Sequence, residues 1–125
     1  MSYTIEVTPE DNHLHITVGG ENSPDTVRNY LSDILAAVKR HGQSNILIEE
    51  NLRGPSIKIL DMFDVVTKAS ERTAPNILRI AYIDMNKDHD RKALQFAETV
   101  ALNRGINVRL FDNRQEALRW LLDRK

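Results

Sequence analysis

The stretch NILIEENLRGPSIKILDMFDVVTKAS, from Asn45 to Ser70, decides the fold. It opens on three apolar residues (46–48), continues through an acidic exit (49–51), turns at residues 54–56 and then has helical periodicity. A short, continuous apolar run indicates a strand that is covered on both faces. Because the helix that follows must cross back over the sheet, the stretch predicts a parallel α/β layer, in which ligands bind at the strand ends.

Composition fits one globular domain spanning residues 1–125. The chain has 125 residues, of which 41% are hydrophobic and 28% charged, enough for a single core. The net charge of −1 and the pI near 6.4 give no basic field, so neither nucleic acid nor an anionic membrane is an expected partner. The absence of cysteine excludes disulfides and thiolate metal sites.

The location expected from the sequence is cytosolic. The start, Met1-Ser2-Tyr3-Thr4, lacks the basic and then apolar pattern of a signal peptide. No apolar run approaches the length that spans a bilayer.

The chain before Asn45 predicts a hairpin and a helix. Two alternating segments, 3–7 and 14–18, favour paired strands with one wet face, which would carry His13 and His15. Ser23 and Pro24 are typical of a helix start, and Gly42 is typical of its end.

The second predicted helix follows the turn at residues 54–56. Its apolar stripe is formed by Ile59, Met62, Phe63, Val66 and Ala69. Three further apolar residues fall outside this stripe, namely Ile57, Leu60 and Val65. Burial under a neighbouring loop or helix would explain them, as would a contact with a partner or ligand.

The remaining chain predicts a strand at 77–83, a helix from about Arg91 to Arg104, a strand at 106–110 and a final helix. Ala93, Ala97 and Ala101 form a stripe of small residues that would let the third helix lie close on the sheet. The order β-β-α-β-α-β-α-β-α predicts an α/β domain with a mixed five-stranded sheet, an N-terminal hairpin and four helices.

Three segments resemble the SpoIIAA-like family, which shares the STAS and CRAL-TRIO type of fold. They are the strand 46–48 leading to Leu52-Arg53-Gly54, the strand 78–82, and the ending Val108-Arg109-Leu110-Phe111 with Ala117-Leu118-Arg119-Trp120-Leu121. The resemblance covers nearly the whole chain through the order of its elements. It implies a STAS-like fold.

The resemblance also implies a candidate phosphorylation site at Ser56. In STAS domains of the anti-sigma factor antagonist type, this turn carries an Asp-Ser-Ser-Gly motif whose serine is phosphorylated by a partner kinase. Here the turn reads Arg53-Gly54-Pro55-Ser56-Ile57, so most of the motif is absent. A helix cap is the preferred explanation of Ser56, because serine is a preferred N-cap.

Metal sites are not predicted. The segment 84–95 has the first spacings of a calcium loop but lacks its glycine and its final glutamate, and Asp88 or Asp90 is better explained as a helix cap. His13 and His15 have no identifiable third ligand. Four acids at strand ends would share one crevice and hold a cation, although exposed charges and caps explain them more simply: Glu49, Glu50, Asp84 and Asp112.

The sequence supports three functional hypotheses, none with a catalytic residue or a cofactor. The first is a non-enzymatic STAS-like module that contacts a protein partner or a second copy through Ile57, Leu60, Phe63 and Val65. The second, implied by the CRAL-TRIO resemblance, is a carrier or sensor of a small hydrophobic or lipid-like ligand, with the same region forming the pocket wall. The third is metal-assisted phosphoryl transfer at the acidic strand ends.

Overall fold

The computed structural model describes residues 3–55, 57–58, 61, 64–65, 67–68 and 79–123. Five strands and three helices lie in these ranges: β1 (Tyr3–Pro9), β2 (Leu14–Glu21), α1 (Pro24–His41), β3 (Asn45–Arg53), β4 (Arg79–Asp84), α2 (Arg91–Asn103), β5 (Val108–Phe111) and α3 (Arg114–Leu121). The predicted α/β architecture with a mixed five-stranded sheet is therefore confirmed.

The strands lie in the sheet in the order in which they occur in the chain, β1-β2-β3-β4-β5. β1 is antiparallel to β2, and every later pair is parallel. β3 is longer than predicted, because the acidic residues 49–51 belong to the strand and not to its exit. Glu49 and Glu50 still pair with both neighbouring strands, and Glu21 pairs with Arg53.

The predicted count of four helices is not supported, since the described residues contain three. The predicted second helix falls on a segment of which only residues 57, 58, 61, 64, 65, 67 and 68 are described, and the last five of these are helical. Elsewhere the predicted helix signals are confirmed. Ser23 and Asp90 cap α1 and α2, and Gly42 ends α1 with a positive φ of 69°.

The two faces of the sheet carry separate apolar clusters. On one face, inward residues of β2 and β3 such as Ile16 and Ile48 pack with α1 residues such as Tyr30 and Val38. On the other face, α3 packs against β3, β4 and β5 around Leu47, Ala81, Ile83, Ala117 and Leu121. Among the described helices, none is both long and apolar enough to cross a membrane.

Ile57 and Val65 are part of the first cluster, with exposed fractions of 7% and 2%. Of the two explanations considered for these residues, burial is therefore the one that applies to Ile57 and Val65. A helical wheel does not show which other elements cover a residue. Leu60 and Phe63 lie outside the described residues.

The segments that carry the family resemblance have a packing role at β5 and α3. The Trp120 ring lies 5.6 Å from the Phe111 ring, centroid to centroid. The guanidinium carbons of Arg79 and Arg109 lie 5.4 and 5.2 Å from the Trp120 ring centroid. These cation–π and aromatic contacts fix α3 on the sheet, which explains why this motif indicates fold more than activity.

Candidate functional site

A cavity lies over β3 and β4, the strands between the two helices on one face of the sheet. α1 packs on β1 and β2, whereas α2 on the same face packs on β5. β3 and β4 lie between these two contacts in the sheet, and their residues line the space between the helices. The space between α1 and α2 forms a cavity of about 160 Å³.

The cavity walls are mainly aliphatic. They include residues of α1, β3, β4 and α2, among them Leu31, Ile34, Ile46, Ile48, Ile80 and Leu94. The predicted stripe of small residues, Ala93, Ala97 and Ala101, also lines this space. α2 lies on β5 with Ala93 and Ala101 buried, and beside the central strands these small side chains leave volume that larger ones would fill.

Glu50 forms the polar end of the cavity. The side chains of Ile46, Ile48, Glu50 and Leu52 alternate along β3, so Glu50 points to the same face as three apolar neighbours. It is only 3% exposed. Tyr30 from α1 and Tyr82 from β4 both donate hydrogen bonds to its carboxyl group.

Burial raises the pKa of Glu50 from 4.5 to about 7, and the negative charge of Asp84 adds to the increase. The hydrogen bonds from the two tyrosines and the nearby His89 act in the opposite direction but do not cancel the effect of burial. The same burial, with Glu50 adjacent, raises the pKa of Tyr30 and Tyr82 well above 10, so both hydroxyls remain protonated donors.

Asp84 and His89 form a buried pair beside Glu50. His89 Nδ1 lies 2.7 Å from Asp84 Oδ2, and His89 Nε2 lies 3.1 Å from the Gly54 carbonyl oxygen. The backbone N–H of Asn86 donates to Asp84 Oδ1 at 2.9 Å. His89 Nδ1 therefore faces a carboxylate, whereas Nε2 lies near the Gly54 carbonyl oxygen and also 3.3 and 3.4 Å from the side-chain amide nitrogens of Asn86 and Asn22.

The hydrogen bonds at the polar end of the cavity oppose metal binding. One potential donor atom each from Glu50, Asp84 and His89 lies within 4.8 Å of the other two. However, Glu50 accepts from two tyrosines, and the ring nitrogens of His89 are directed at Asp84 and a carbonyl oxygen. A cation would have to replace these hydrogen bonds.

The four acids at the strand ends do not share one crevice, contrary to the arrangement considered from the sequence. Glu49 points to the opposite face of the sheet from Glu50. There Arg114 donates to both of its oxygens, at 2.7 and 3.2 Å, and His15 makes a third contact. Asp112 forms a surface ion pair with Arg91 at 2.9 Å. Only Glu50 and Asp84 come together.

The hydrogen-bond partners of Glu49 outweigh the effect of burial on its pKa. Burial by itself would raise the pKa of Glu49, but hydrogen bonds from Arg114 and His15 outweigh burial, and the pKa is lowered. Glu49 and Glu50 are thus adjacent buried acids with pKa shifts of opposite sign.

The expectation that His13 and His15 lie on a wet face is wrong. His13 is 8% exposed and next to Asn12, and burial lowers its pKa. His15 is held by Glu49. The strand alternation was correct, but this face of β2 is flanked by α3 through Arg114 and is not open to solvent there.

The structure places two of the predicted contact residues in the cavity wall, namely Ile57 and Val65. Ser56, Leu60 and Phe63 lie outside the described residues, so their predicted roles stay predictions. Sequence reasoning missed Tyr30, Tyr82 and His89. A signal for the polar end was present, because Glu50 continues the i, i+2 alternation of Ile46 and Ile48 and an acid on an apolar strand face calls for partners.

No family model matches the chain, and no curated protein sequence matches it. Two solved structures are similar to it over nearly their whole length. An anti-sigma factor antagonist from Mycobacterium paratuberculosis has a TM-score of 0.62 at 13% identity, with 98% of this chain and 96% of that chain covered. An uncharacterised protein of the DUF3478 family from Shewanella loihica, with a SpoIIAA-like fold, has a TM-score of 0.55 at 15% identity. That alignment covers 95% of this chain and 93% of the other.

At these identities the likeness concerns the fold. The chain therefore has the SpoIIAA-like fold of STAS domains.

Proposed function

We propose that the protein is a non-enzymatic regulatory module that senses or carries a small, largely apolar ligand in the cavity between α1 and α2. The cavity is the observation that supports this proposal. Its volume of about 160 Å³ is comparable to that of an apolar cavity of about 150 Å³ that holds benzene. A ligand of about six to ten non-hydrogen atoms fits this space, whereas a long-chain lipid does not.

The arrangement of the polar groups favours binding over catalysis. Asp84 and His89 are paired with each other, and Glu50 is held by two tyrosine hydroxyls. A serine, threonine or lysine nucleophile is not among the described residues that line the cavity. A cytosolic location, expected from the sequence, belongs to the same proposal.

A thermal melting experiment with toluene as the probe tests the cavity proposal. A ligand that binds only the folded state raises the midpoint of unfolding, so saturating toluene should raise the Tm by several degrees. Ala97→Leu should abolish this rise, because the added side chain occupies the cavity. Gln95→Leu is the matched control: it adds the same side chain at an exposed position of α2 and should leave the rise intact.

Native mass spectrometry of protein purified from its own host then reports any retained ligand together with the number of subunits. A wild-type protein with no toluene-induced Tm rise, and no retained ligand, would contradict the proposal.

A second candidate function is protein–protein contact through the predicted second helix. The likeness to an anti-sigma factor antagonist along 98% of this chain favours a regulatory partner or a second copy. Ile57 and Val65 are buried, so this proposal now depends on Leu60 and Phe63. Both functions can operate in one molecule, because the second helix would lie beside the cavity wall formed by Ile57 and Val65.

A further inference from the structure

The charge of the cavity lining is unbalanced. Four acids are among its described lining residues, namely Glu50, Asp84, Asp90 and Glu98. The described lining also contains one histidine but neither lysine nor arginine. This distribution disfavours an anionic ligand and favours a cationic one.

Three of these acids already have partners. Asp84 is paired with His89 at 2.7 Å, Asp90 caps α2 by accepting from the Lys92 N–H, and Glu98 accepts from the Leu110 N–H at 2.7 Å. Even with His89 protonated, the group formed by Glu50, Asp84 and His89 keeps one negative charge when both acids are ionised.

Glu50 is the acid without a cationic partner of its own. It is 3% exposed, and within the described part of the chain it takes part in no ion pair. Its two hydrogen-bond donors are the neutral hydroxyls of Tyr30 and Tyr82. A carboxylate has about four acceptor positions, so two remain for a ligand.

We propose that the cavity selects small organic amines, whose ammonium group binds Glu50 while an aromatic or aliphatic body fills the space lined by Ala93 and Ala97. This inference rests on the proposed function, because it assigns a ligand class to the same cavity. An ammonium group supplies hydrogen-bond donors and a positive charge where the site supplies acceptors and a negative one. The rings of Tyr30 and Tyr82 can add cation–π attraction.

The desolvation balance favours such a ligand over a neutral one. Burying two opposite charges together usually costs about as much as their attraction returns. Here the cost of burying Glu50 is already met during folding, so only the ammonium group loses water on binding. Toluene in the same space would leave Glu50 without a cation.

Four probes that share a phenyl ring test the inference: benzylamine, benzyl alcohol, toluene and phenylacetate. Their dissociation constants are measured by calorimetry or ligand-observed NMR at about pH 8, where benzylamine is protonated and Glu50, whose pKa is raised to about 7, is mainly ionised. Benzylamine should bind at least about tenfold more tightly than toluene, a difference of about 1.4 kcal/mol, and phenylacetate should bind most weakly.

Two matched variants test whether Glu50 causes the preference for benzylamine over toluene. Glu50→Gln keeps the shape but removes the charge, and should bring benzylamine within about threefold of toluene while toluene still binds. Glu49→Gln removes the neighbouring acid, which faces the other side of the sheet, and should preserve the benzylamine preference. Toluene binding by each variant shows that it is folded.

The outcomes separate this inference from the proposed function. Equal binding of benzylamine and toluene by the wild-type protein, tighter binding of phenylacetate, or an unchanged preference in Glu50→Gln would overturn the inference and leave an apolar cavity site. If none of the four probes binds the wild-type protein, both proposals fail. If Glu50→Gln does not fold, the order of the four affinities for the wild-type protein still decides whether the inference holds.

Discussion

At the scale of single residues, Glu49 and Glu50 show how strand geometry sets chemistry. They are adjacent in β3, both are buried, and they point to opposite faces of the sheet. Glu49 meets a guanidinium and an imidazole, whereas Glu50 meets two neutral hydroxyls. The pKa of Glu49 is consequently lowered and that of Glu50 is raised.

The opposite pKa shifts predict opposite effects of pH on stability. Because folding raises the pKa of Glu50 from 4.5 to about 7, its contribution is complete below pH 4.5 and is lost as the pH rises through 7. Relative to Glu50→Gln, the wild-type free energy of unfolding should therefore fall by about 3 kcal/mol between pH 4.5 and pH 8. Urea unfolding at a series of pH values measures this difference.

Glu49→Gln provides the control with the reverse sign. The pKa of Glu49 is lowered in the folded protein, so its contribution is present above the unfolded value of 4.5 and is lost as the pH falls. This variant should be less stable than the wild type at pH 8, on the order of 2 kcal/mol, since it weakens hydrogen bonds to a charged partner. Parallel pH profiles for the two variants would contradict the assigned environments.

Ser56 keeps its prediction as a helix cap. Its position after Gly54-Pro55 and before an apolar-periodic run motivates that role. Ser56→Ala should reduce stability by about 1 kcal/mol, and Ser56→Asp should be nearly neutral because aspartate also caps and suits the helix dipole. If Ser56→Asp keeps its stability but loses binding to a partner, a phosphorylation switch replaces the cap-only view.

Binding of divalent cations is tested at the same group of residues. The hydrogen bonds that engage Glu50, Asp84 and His89 lead us to expect no useful affinity for magnesium or calcium. A cation that bound only the folded state would add about 2.7 kcal/mol at a hundredfold excess over its dissociation constant. A rise in Tm of several degrees in millimolar magnesium or calcium would show that these contacts yield to a metal.

At the scale of elements, the periodicity of the sequence predicts the strands of the sheet but not how neighbouring elements pair and pack around them. Alternation gave β1 and β2, and the cap residues Ser23 and Asp90 gave the starts of α1 and α2. β3 ends later than predicted, because β2 and β4 both supply pairing partners as far as Glu50, although acidic residues are typical of a strand exit. Pairing is a property of neighbouring strands, which a single segment does not reveal.

The cavity itself could not be predicted from the helix patterns. The stripe of Ala93, Ala97 and Ala101 predicted that the helix lies close on the sheet, and α2 does lie on β5. The same small side chains also leave space beside the central strands, which depends on where α1 and α2 lie on the sheet.

Substitution of Trp120 tests whether the two faces of the sheet are independent of each other. Trp120→Ala removes the ring that contacts Phe111 and lies beside Arg79 and Arg109, so it should cost on the order of 3 kcal/mol of stability. The cavity lies on the opposite face, so the affinity for toluene at a temperature where the variant is folded should be unchanged. Loss of toluene binding by folded Trp120→Ala would mean that α3 also shapes the cavity.

At the scale of the whole molecule, the fold was identifiable from the order of elements, and the SpoIIAA-like likeness agrees with that order. The candidate site was only half predictable. Glu50 and Asp84 were singled out at the strand ends, but their partners Tyr30 and His89 come from α1 and from the loop after β4. Contacts between distant segments form only when the sheet and helices assemble.

Leu60 provides the test of assembly. It lies about 120° from the centre of the stripe formed by residues 59, 62, 63, 66 and 69, at 100° per residue, so it has little reason to face the sheet. If Leu60 contacts a second copy or a partner, Leu60→Asp should keep most of the monomer's stability while the complex is lost. Light scattering and thermal melting measure both quantities on one sample.

Burial of Leu60 in the monomer would give a different result. A charge in the core costs several kcal/mol, enough to unfold a domain of marginal stability. Ile57 and Val65, which fall outside the predicted apolar stripe as Leu60 does, are buried, so Val65→Asp is a matched control that should unfold the protein. If Leu60→Asp unfolds like Val65→Asp, Leu60 belongs to the core. If it alters neither stability nor assembly, Leu60 is plain surface, and in both cases the second helix is not the contact site.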